Sequence, residues 1–209
     1  MVAAVARAKE SFGRLDVVVN NAGYGPFGAV EEITEQQLRD QLEVNLFGVF
    51  HVTQAVLPIL REQGSGHIVQ ISTIGGVSAS PGLGAYHASK WALEGMTESL
   101  AAEVGSFGIK VTLVEPGGYA TDWGGSSAVH ATPQPAYDRM RAGLAEQNAG
   151  FTMNDPAGVG PALLKVVDAE QPPLRILFGA GTVQIAKAIY EHRLATWTQW
   201  EPVSDEAAG

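Results

Sequence analysis

Four short runs of strand length alternate with much longer stretches of helical spacing, and this alternation limits the fold more than any other feature. The runs are residues 15–19 (LDVVV), 67–71 (HIVQI), 109–114 (IKVTLV) and 174–178 (LRILF). Each is apolar or β-branched and bounded by Gly, Asn or Pro. The first and third are too continuously apolar for a one-sided sheet, the pattern of parallel strands covered on both faces. Between them, residues 34–63 open with a capping-box pattern, Thr34 with Gln37, and carry Leu38, Leu42, Leu46, Val49 and Val52 at helical spacing. Pro58 is expected to kink the last turns. A second helix is expected over 84–104, with Gly105 and Gly108 just past its end. A third follows Asp155 and Pro156, as N-cap and first-turn proline, to about residue 168. The last follows Gly181 through Ile185, Ile189 and Tyr190, and the tail from Glu201 should fray. Strands alternating with helices predict βαβ units: an α/β fold with a doubly wound, mostly parallel sheet.

With 209 residues the chain can bury a sizeable core in a single domain, 1–209. One stretch breaks the alternation. Residues 117–150 are rich in Gly, Ser, Ala and Pro, with one short helical pattern near 137–145. The expectation is a lid-like substrate loop at about 119–150, and the plainer reading is a mobile surface excursion.

Charge and composition exclude several functions. A net charge of −9 argues against a nucleic-acid backbone binder, which needs a basic face. The lack of cysteine excludes disulfides, thiol nucleophiles and cysteine zinc sites. The five histidines show no metal spacing, so no metal is expected. No apolar run reaches the ~18–20 residues of a membrane span and no signal-peptide plan opens the chain, so a cytoplasmic protein without membrane partners is expected.

Ligands of open α/β sheets bind beyond the carboxyl ends of the strands. The residues just past each run are therefore informative: Asn20, Asn21, Ala22 and Gly23 after the first, Ser72 and Thr73 after the second, Glu115, Pro116, Gly117 and Gly118 after the third. Tyr86 and Lys90, four apart, share one helix face. An ammonium near a phenol stabilises the phenolate and lowers its pKa toward a usable acid/base. Taken alone, such a pair is also what a core-edge tyrosine and a snorkelling lysine look like.

The ordered set Asn20-Asn21-Ala22-Gly23, Asn45, Ser72-Thr73, Tyr86-His87-Ala88-Ser89-Lys90 and Pro116-Gly117-Gly118-Tyr119-Ala120-Thr121 resembles the short-chain dehydrogenase/reductase family. The resemblance implies a Rossmann-like fold and an oxidoreductase that interconverts an alcohol and a carbonyl with NAD or NADP, on a small-molecule substrate, as a dimer or tetramer. It assigns Tyr86 as general acid/base. It gives Lys90 the lowering of the Tyr86 pKa and the nicotinamide ribose hydroxyls, and Asn45 a proton-relaying water. It sets Asn20, Ala22 and Gly23 on the adenosine side, and Pro116, Gly117 and Thr121 at the nicotinamide. Read without the family, Asn45 in an apolar helix is a kink-forming residue bonded to backbone.

Two departures stand out. The family's serine, thirteen residues before its tyrosine, is Thr73 here, with Ser72 beside it as the other candidate and a cofactor-side residue. The family's Thr-Gly-x-x-x-Gly-x-Gly turn is not in this sequence. That leads to the expectation of a sheet truncated on its N-terminal side by roughly 60–70 residues, two βαβ units, with weak dinucleotide binding and an exposed edge on the first strand. The match of Gly23, Gly25 and Gly28 to G-x-G-x-x-G is not expected to be a phosphate loop, because Pro26 interrupts it and no helix opens until about residue 34. His87 and Trp123 are substrate-contact candidates, against plain packing. The alternative to an enzyme is a non-catalytic fragment acting through subunit association.

Overall fold

A computed structural model describes residues 2–125 and 128–208. In chain order the elements are α1 (Val2–Phe12), β1 (Val17–Asn20), β2 (Pro26–Phe27), α2 (Glu35–Leu42), a π-helical turn (Glu43–Phe47), α3 (Gly48–Gln63), β3 (Gly66–Ile71), α4 (Gly84–Val104) and β4 (Ile109–Pro116). They continue with β5 (Val129–His130), α5 (Asp138–Asn148), α6 (Val159–Val167), β6 (Arg175–Phe178) and α7 (Thr182–Glu206). The main sheet runs β1-β3-β4-β6, all parallel, and β2 pairs with β5 in a separate two-stranded parallel sheet.

Alternate residues of the strands feed two cores. Ile68, Ile109 and Val111 pack with Val56 and Leu60 of α3 and Leu100 and Val104 of α4. Val69, Val114 and Phe178 face the other way, onto Val166 of α6. Helices thus cover both faces, the doubly wound arrangement. On β1, Val18 joins the first core while Val17 and Val19 stay 39% and 43% exposed. The double covering expected of the first apolar run therefore stops at β1, whose single ladder partner among the described residues is β3.

The expected 34–63 helix forms with its capping box: the Thr34 hydroxyl accepts from Gln37 N, and the Gln37 side chain accepts from Thr34 N. It is interrupted at Glu43–Phe47 by the π turn, while α3 continues through Pro58 to Gln63. The whole length, Glu35–Gln63, is 29 residues with a mean hydropathy of 1.3 over its most apolar stretch. By length and composition it could cross a membrane, contrary to the expectation that no stretch could. Here Val49, Thr53, Val56 and Leu60 are buried within the protein, and Val44, Phe47 and Phe50 face outward. The tail differs too: α7 carries through Pro202 to Glu206 instead of fraying at Glu201.

Gly108 ends the turn after α4 at φ 72°, and a Cβ there would run into the Gly64 carbonyl oxygen. Gly105, in ordinary helical conformation at φ −56°, has nothing within 4 Å of that position. Gly108→Ala should therefore cost at least about 1–3 kcal/mol from backbone strain alone. Gly105→Ala should be neutral or stabilising by about 0.4–1 kcal/mol. Urea midpoints of the two variants check this, and equal midpoints would refute it.

Candidate active site

The ladders bring the carboxyl ends of the strands to one rim, with Asn20 opposite Gln70, Ile71 opposite Val114, and Pro116 opposite Phe178. The segments after the strands meet there. Tyr86, in the first turn of α4, is buried, and its ring lies 5.0 Å from that of Trp123 and 5.9 Å from Lys90 Nζ. Lys90 is 4% exposed and donates to Ile71 O at 2.8 Å. Asn45, fully buried in the π turn, holds the backbone of Tyr24: its Nδ2 donates to Tyr24 O at 2.9 Å and its Oδ1 accepts from Tyr24 N at 3.2 Å. Such turns recur at functional sites because they aim one side chain off the helical register. Asn45 Oδ1 and Lys90 Nζ converge beneath Gly23, 3.2 and 3.5 Å from where its Cβ would be. The backbone-bonded reading of Asn45 thus describes its contacts, and its place beside Lys90 keeps the family's role open to it.

The two hydroxyl candidates separate. Thr73 faces Tyr86 and acts on its phenol, while its hydroxyl accepts from Gly75 N at 3.2 Å and reaches Pro116 O at 3.4 Å. Ser72 is buried on the far side, where its Oγ and Glu94 Oε1 approach each other across Gly76 outside hydrogen-bond geometry. His87 is displaced from any substrate role: its Nδ1 bonds Gly75 O at 2.9 Å, and Ser80 N donates to its Nε2 at 3.1 Å. These bonds pin the 75–80 loop, and burial holds the imidazole below its ordinary pKa, so it stays neutral and structural. Trp123 does reach the site, seated between the rings of Tyr86 and Phe27.

Electrostatics run against the simple expectation for the pair. Burial pushes the Tyr86 phenol up to about 12, with the neighbouring Thr73 side chain opposing. Burial also pulls Lys90 down to about 8, against the pull of Glu94. An ammonium 5.9 Å from the ring centre does not offset the desolvation of a buried phenol. Tyr86 in this state is a neutral phenol at neutral pH.

Of the remaining candidates, Asn20 is buried at the end of β1 with Nδ2 unpartnered among the described residues. Ala22 and Gly23 lie exposed beyond it. Pro116 and Gly117 line the rim half-buried, with Gly117 pressed so close to Thr182 that a Cβ would sit 2.8 Å from its hydroxyl. Thr121 is exposed and caps the short turn bearing Trp123. The glycines of the false phosphate motif serve side-chain approach: a Cβ on Gly25 would meet Trp123 at 2.9 Å and Tyr86 at 3.0 Å, and one on Gly28 would meet Ala131 at 2.6 Å. Sequence reasoning missed Gly25, and also Gln41, a buried amide that donates to Tyr24 O and to Ser89 Oγ behind the site. Its place in the apolar helix pattern was the available signal.

The short chain dehydrogenase family matches residues 1–130, across every one of these elements up to Trp123. The chain belongs to the short chain dehydrogenase family. Among curated relatives, an oxidoreductase of Botryotinia fuckeliana, BOA17, is 45% identical over 96% of this chain and 74% of its own length. A short-chain dehydrogenase from Streptomyces avermitilis has a crystal structure that superposes with a TM-score of 0.90 at 39% identity, covering 99% of this chain and 76% of that one. An alcohol dehydrogenase from Thermococcus sibiricus, solved with 5-hydroxy-NADP, matches at a TM-score of 0.65 and 26% identity, over 85% of this chain and 68% of that one.

For a short-chain dehydrogenase, the residues present fit the nicotinamide-ribose end of a dinucleotide. Gly23 lies open above Asn45 and Lys90, and the Lys90 ammonium has three donors with one committed to Ile71 O. The glycine-rich pyrophosphate turn is not among these residues, and Gly25 and Gly28 are filled by side chains.

The 119–150 segment is more structured than a loop with one helical pattern. Beyond α5 and β5 it is fastened to the 29–32 turn through Glu32, whose carboxylate accepts from Gln134 N at 2.6 Å, Ala29 N at 2.7 Å and Arg141 Nη1 at 2.6 Å. Tyr137 OH donates to Glu31 Oε2 at 2.5 Å. The N–H bonds from Gln134 and Ala29, with Arg141 assisting, hold Glu32 below the usual carboxylate range. Its folded pKa is depressed, so the clamp is whole above the ordinary carboxylate pKa and is lost as pH falls through the depressed value. Hydrogen-exchange protection of the Gln134 amide should persist in wild type down through the ordinary carboxylate range and fade only as the pH falls through the depressed Glu32 value. In Glu32→Gln it should be weak throughout. Undiminished protection in the variant would show that Glu32 does not hold the segment.

Proposed function

We propose that this protein interconverts an alcohol and a carbonyl by hydride transfer with NAD or NADP, with Tyr86 moving the hydroxyl proton. The reading is carried by one observation: a buried Tyr86 facing Thr73 at the strand-end rim, with Lys90 one turn along the same helix. The nicotinamide, when bound, supplies or accepts the hydride. Thr73 polarises the substrate oxygen, and Tyr86 gives it a proton in reduction and takes one back in oxidation. Lys90 holds the ribose hydroxyls, and Asn45 positions a water that relays protons to Lys90. Asn20, Ala22 and Gly23 line the adenosine side, while Pro116, Gly117 and Thr121 face the nicotinamide. Trp123, lying across Tyr86, forms one wall of the substrate pocket.

Tyr86→Phe should lower turnover roughly 10²-fold or more and leave the fold intact. A phenol pushed up to about 12 must ionise before it can accept a proton. Log kcat/KM for alcohol oxidation should therefore climb by about one per pH unit from pH 7 upward, with carbonyl reduction flat over the same range. Assays of both directions with NADH, NADPH and their oxidised forms check this. Near-full activity in Tyr86→Phe would remove the assignment. Absence of turnover together with a defined oligomer would favour a non-catalytic subunit instead.

We further propose self-association through the outer faces of α3 and α4. Phe47, closing the π turn, and Phe50 on α3 are exposed, as are the small residues Ala88, Ala92, Gly95, Ser99 and Ala102 in a row on α4. Ala85 of α4 is buried within the chain. Ala92→Arg should convert a dimer or tetramer to monomer by light scattering at micromolar concentration, and a monomeric wild type would overturn the proposal.

A further inference from the structure

Beneath the candidate site lies a charge cluster that the proton-transfer reading does not use. Glu94 follows Lys90 by one turn of α4 and is 4% exposed; Glu115, on β4 just before Pro116, is 3% exposed. Both carboxylates bond the same Nη1 of Arg175, at the start of β6, Glu115 at 2.8 Å and Glu94 closer still. The other nitrogens of that guanidinium, Nε and Nη2, go to Glu98, which is exposed and so solvated by water.

Two carboxylates are thus buried against one shared guanidinium. A buried charge without a partner is costly enough that the group neutralises or finds a counter-ion. The other cation at hand is Lys90, likewise 4% exposed and four residues from Glu94 on one helix. Counting Glu94 and Glu115 against the partly buried Arg175 and the buried Lys90 closes the charge to zero, with Glu98 left to solvent. Around Lys90, the facing groups are the Ile71 carbonyl from β3, Asn45 from the π turn, and Tyr86 and Glu94 from α4. Around Glu94 they are Ser72 from the loop after β3, Arg175 from β6, Glu115 from β4 and Glu98 from α4.

We propose that Glu94 is a positioning residue that keeps Lys90 an ammonium, with Arg175 and Glu115 fixing the carboxylate where it acts on the lysine. The proposal rests on the reading of Lys90 as a cofactor-holding residue, since a neutral amine there loses a donor to the ribose hydroxyls and loses its field on Tyr86. Burial drives Lys90 down, and the Glu94 charge opposes it. It does so from one helical turn away, through the buried interior rather than by direct contact, since Lys90 Nζ bonds Ile71 O and Glu94 bonds Arg175. The cluster is built closely: a Cβ on Gly76 would sit 2.5 Å from Glu94 Oε1, so the carboxylate has little room to swing away.

The chain has five lysines, Lys9, Lys90, Lys110, Lys165 and Lys187, so the side-chain nitrogens of 15N-lysine-labelled protein can be followed singly by NMR. Lys90 should titrate near pH 8 in the full chain, and Glu94→Gln should lower its midpoint by roughly one pH unit or more. Glu98→Gln should leave it in place, and Glu94→Asp should restore part of the shift. An unchanged midpoint in Glu94→Gln, or an equal shift in Glu98→Gln, would overturn the proposal. Should Glu94→Gln fail to fold, the wild type decides. Coupled groups share their titration steps, so the Glu94 carboxyl carbon must show a step at the Lys90 midpoint, and a Glu94 signal flat through that pH would refute the link. Turnover does not enter this readout. A shifted Lys90 with an active Tyr86→Phe enzyme would sink the catalytic reading alone, and an unshifted Lys90 would sink this proposal alone.

Discussion

The parallel ladder between β3 and β4, paired from Gly66 with Ile109 to Ile71 with Val114, decides where everything else in this molecule sits. Because both strands run the same way and end together, the segments beginning at Ser72 and at Pro116 emerge side by side. The crossover that parallel strands require is α4, whose first turn must start near that same rim to return the chain to the base of β4. Tyr86 and Lys90 lie in those opening turns. A register slip of one residue would exchange Ile68 with Val69 between the two cores, and with that loss the rim would have no floor.

At the rim, desolvation outweighs pairing. Tyr86, Lys90, Glu94 and Glu115 are all buried, and burial is the largest influence on each, moving the phenol and the carboxylates up and the ammonium down. All four are thereby pushed toward their neutral forms, and only specific neighbours resist. Thr73 resists for Tyr86, Glu94 for Lys90, Ser72 and then Arg175 for Glu94, and Arg175 for Glu115. The site's protonation states are therefore set by a few contacts in a poorly solvated interior, and they depend on the packing of α4 against β4 and β6.

The same packing explains the backbone irregularities. The π turn at Glu43–Phe47 costs the helix its regular ladder, and Asn45 recovers that cost by bonding Tyr24 at both ends of its amide. Gly25 lets the chain pass directly against the rings of Tyr86 and Trp123. Glu32 plays the corresponding part for the 129–141 segment, gathering two backbone N–H groups and Arg141 on one carboxylate. In each case one residue suited to a close or irregular backbone fixes a loop beside the site.

Local rules in the sequence were enough for the four strands of the main sheet, the helices between and after them, and their order. The β-branched runs, the Thr34–Gln37 box, Gly108 after α4 and Asp155 before its proline each act within a few residues, and each is where those rules put it. The rim was legible because parallel strands leave their following residues at one end. Tertiary structure alone decided which hydroxyl faces Tyr86, since Ser72 and Thr73 are neighbours whose side chains point to opposite sides of an extended chain. It alone turned His87 from the substrate to the 75–80 loop, carried α7 past Glu201, and reversed the expected pKa of Tyr86. Burial depends on what distant segments cover, and the joining of Glu94, Glu115 and Arg175 from α4, β4 and β6 has no signature in sequence spacing. Sequence determines what is near along the chain, and desolvation is determined by what is near in space.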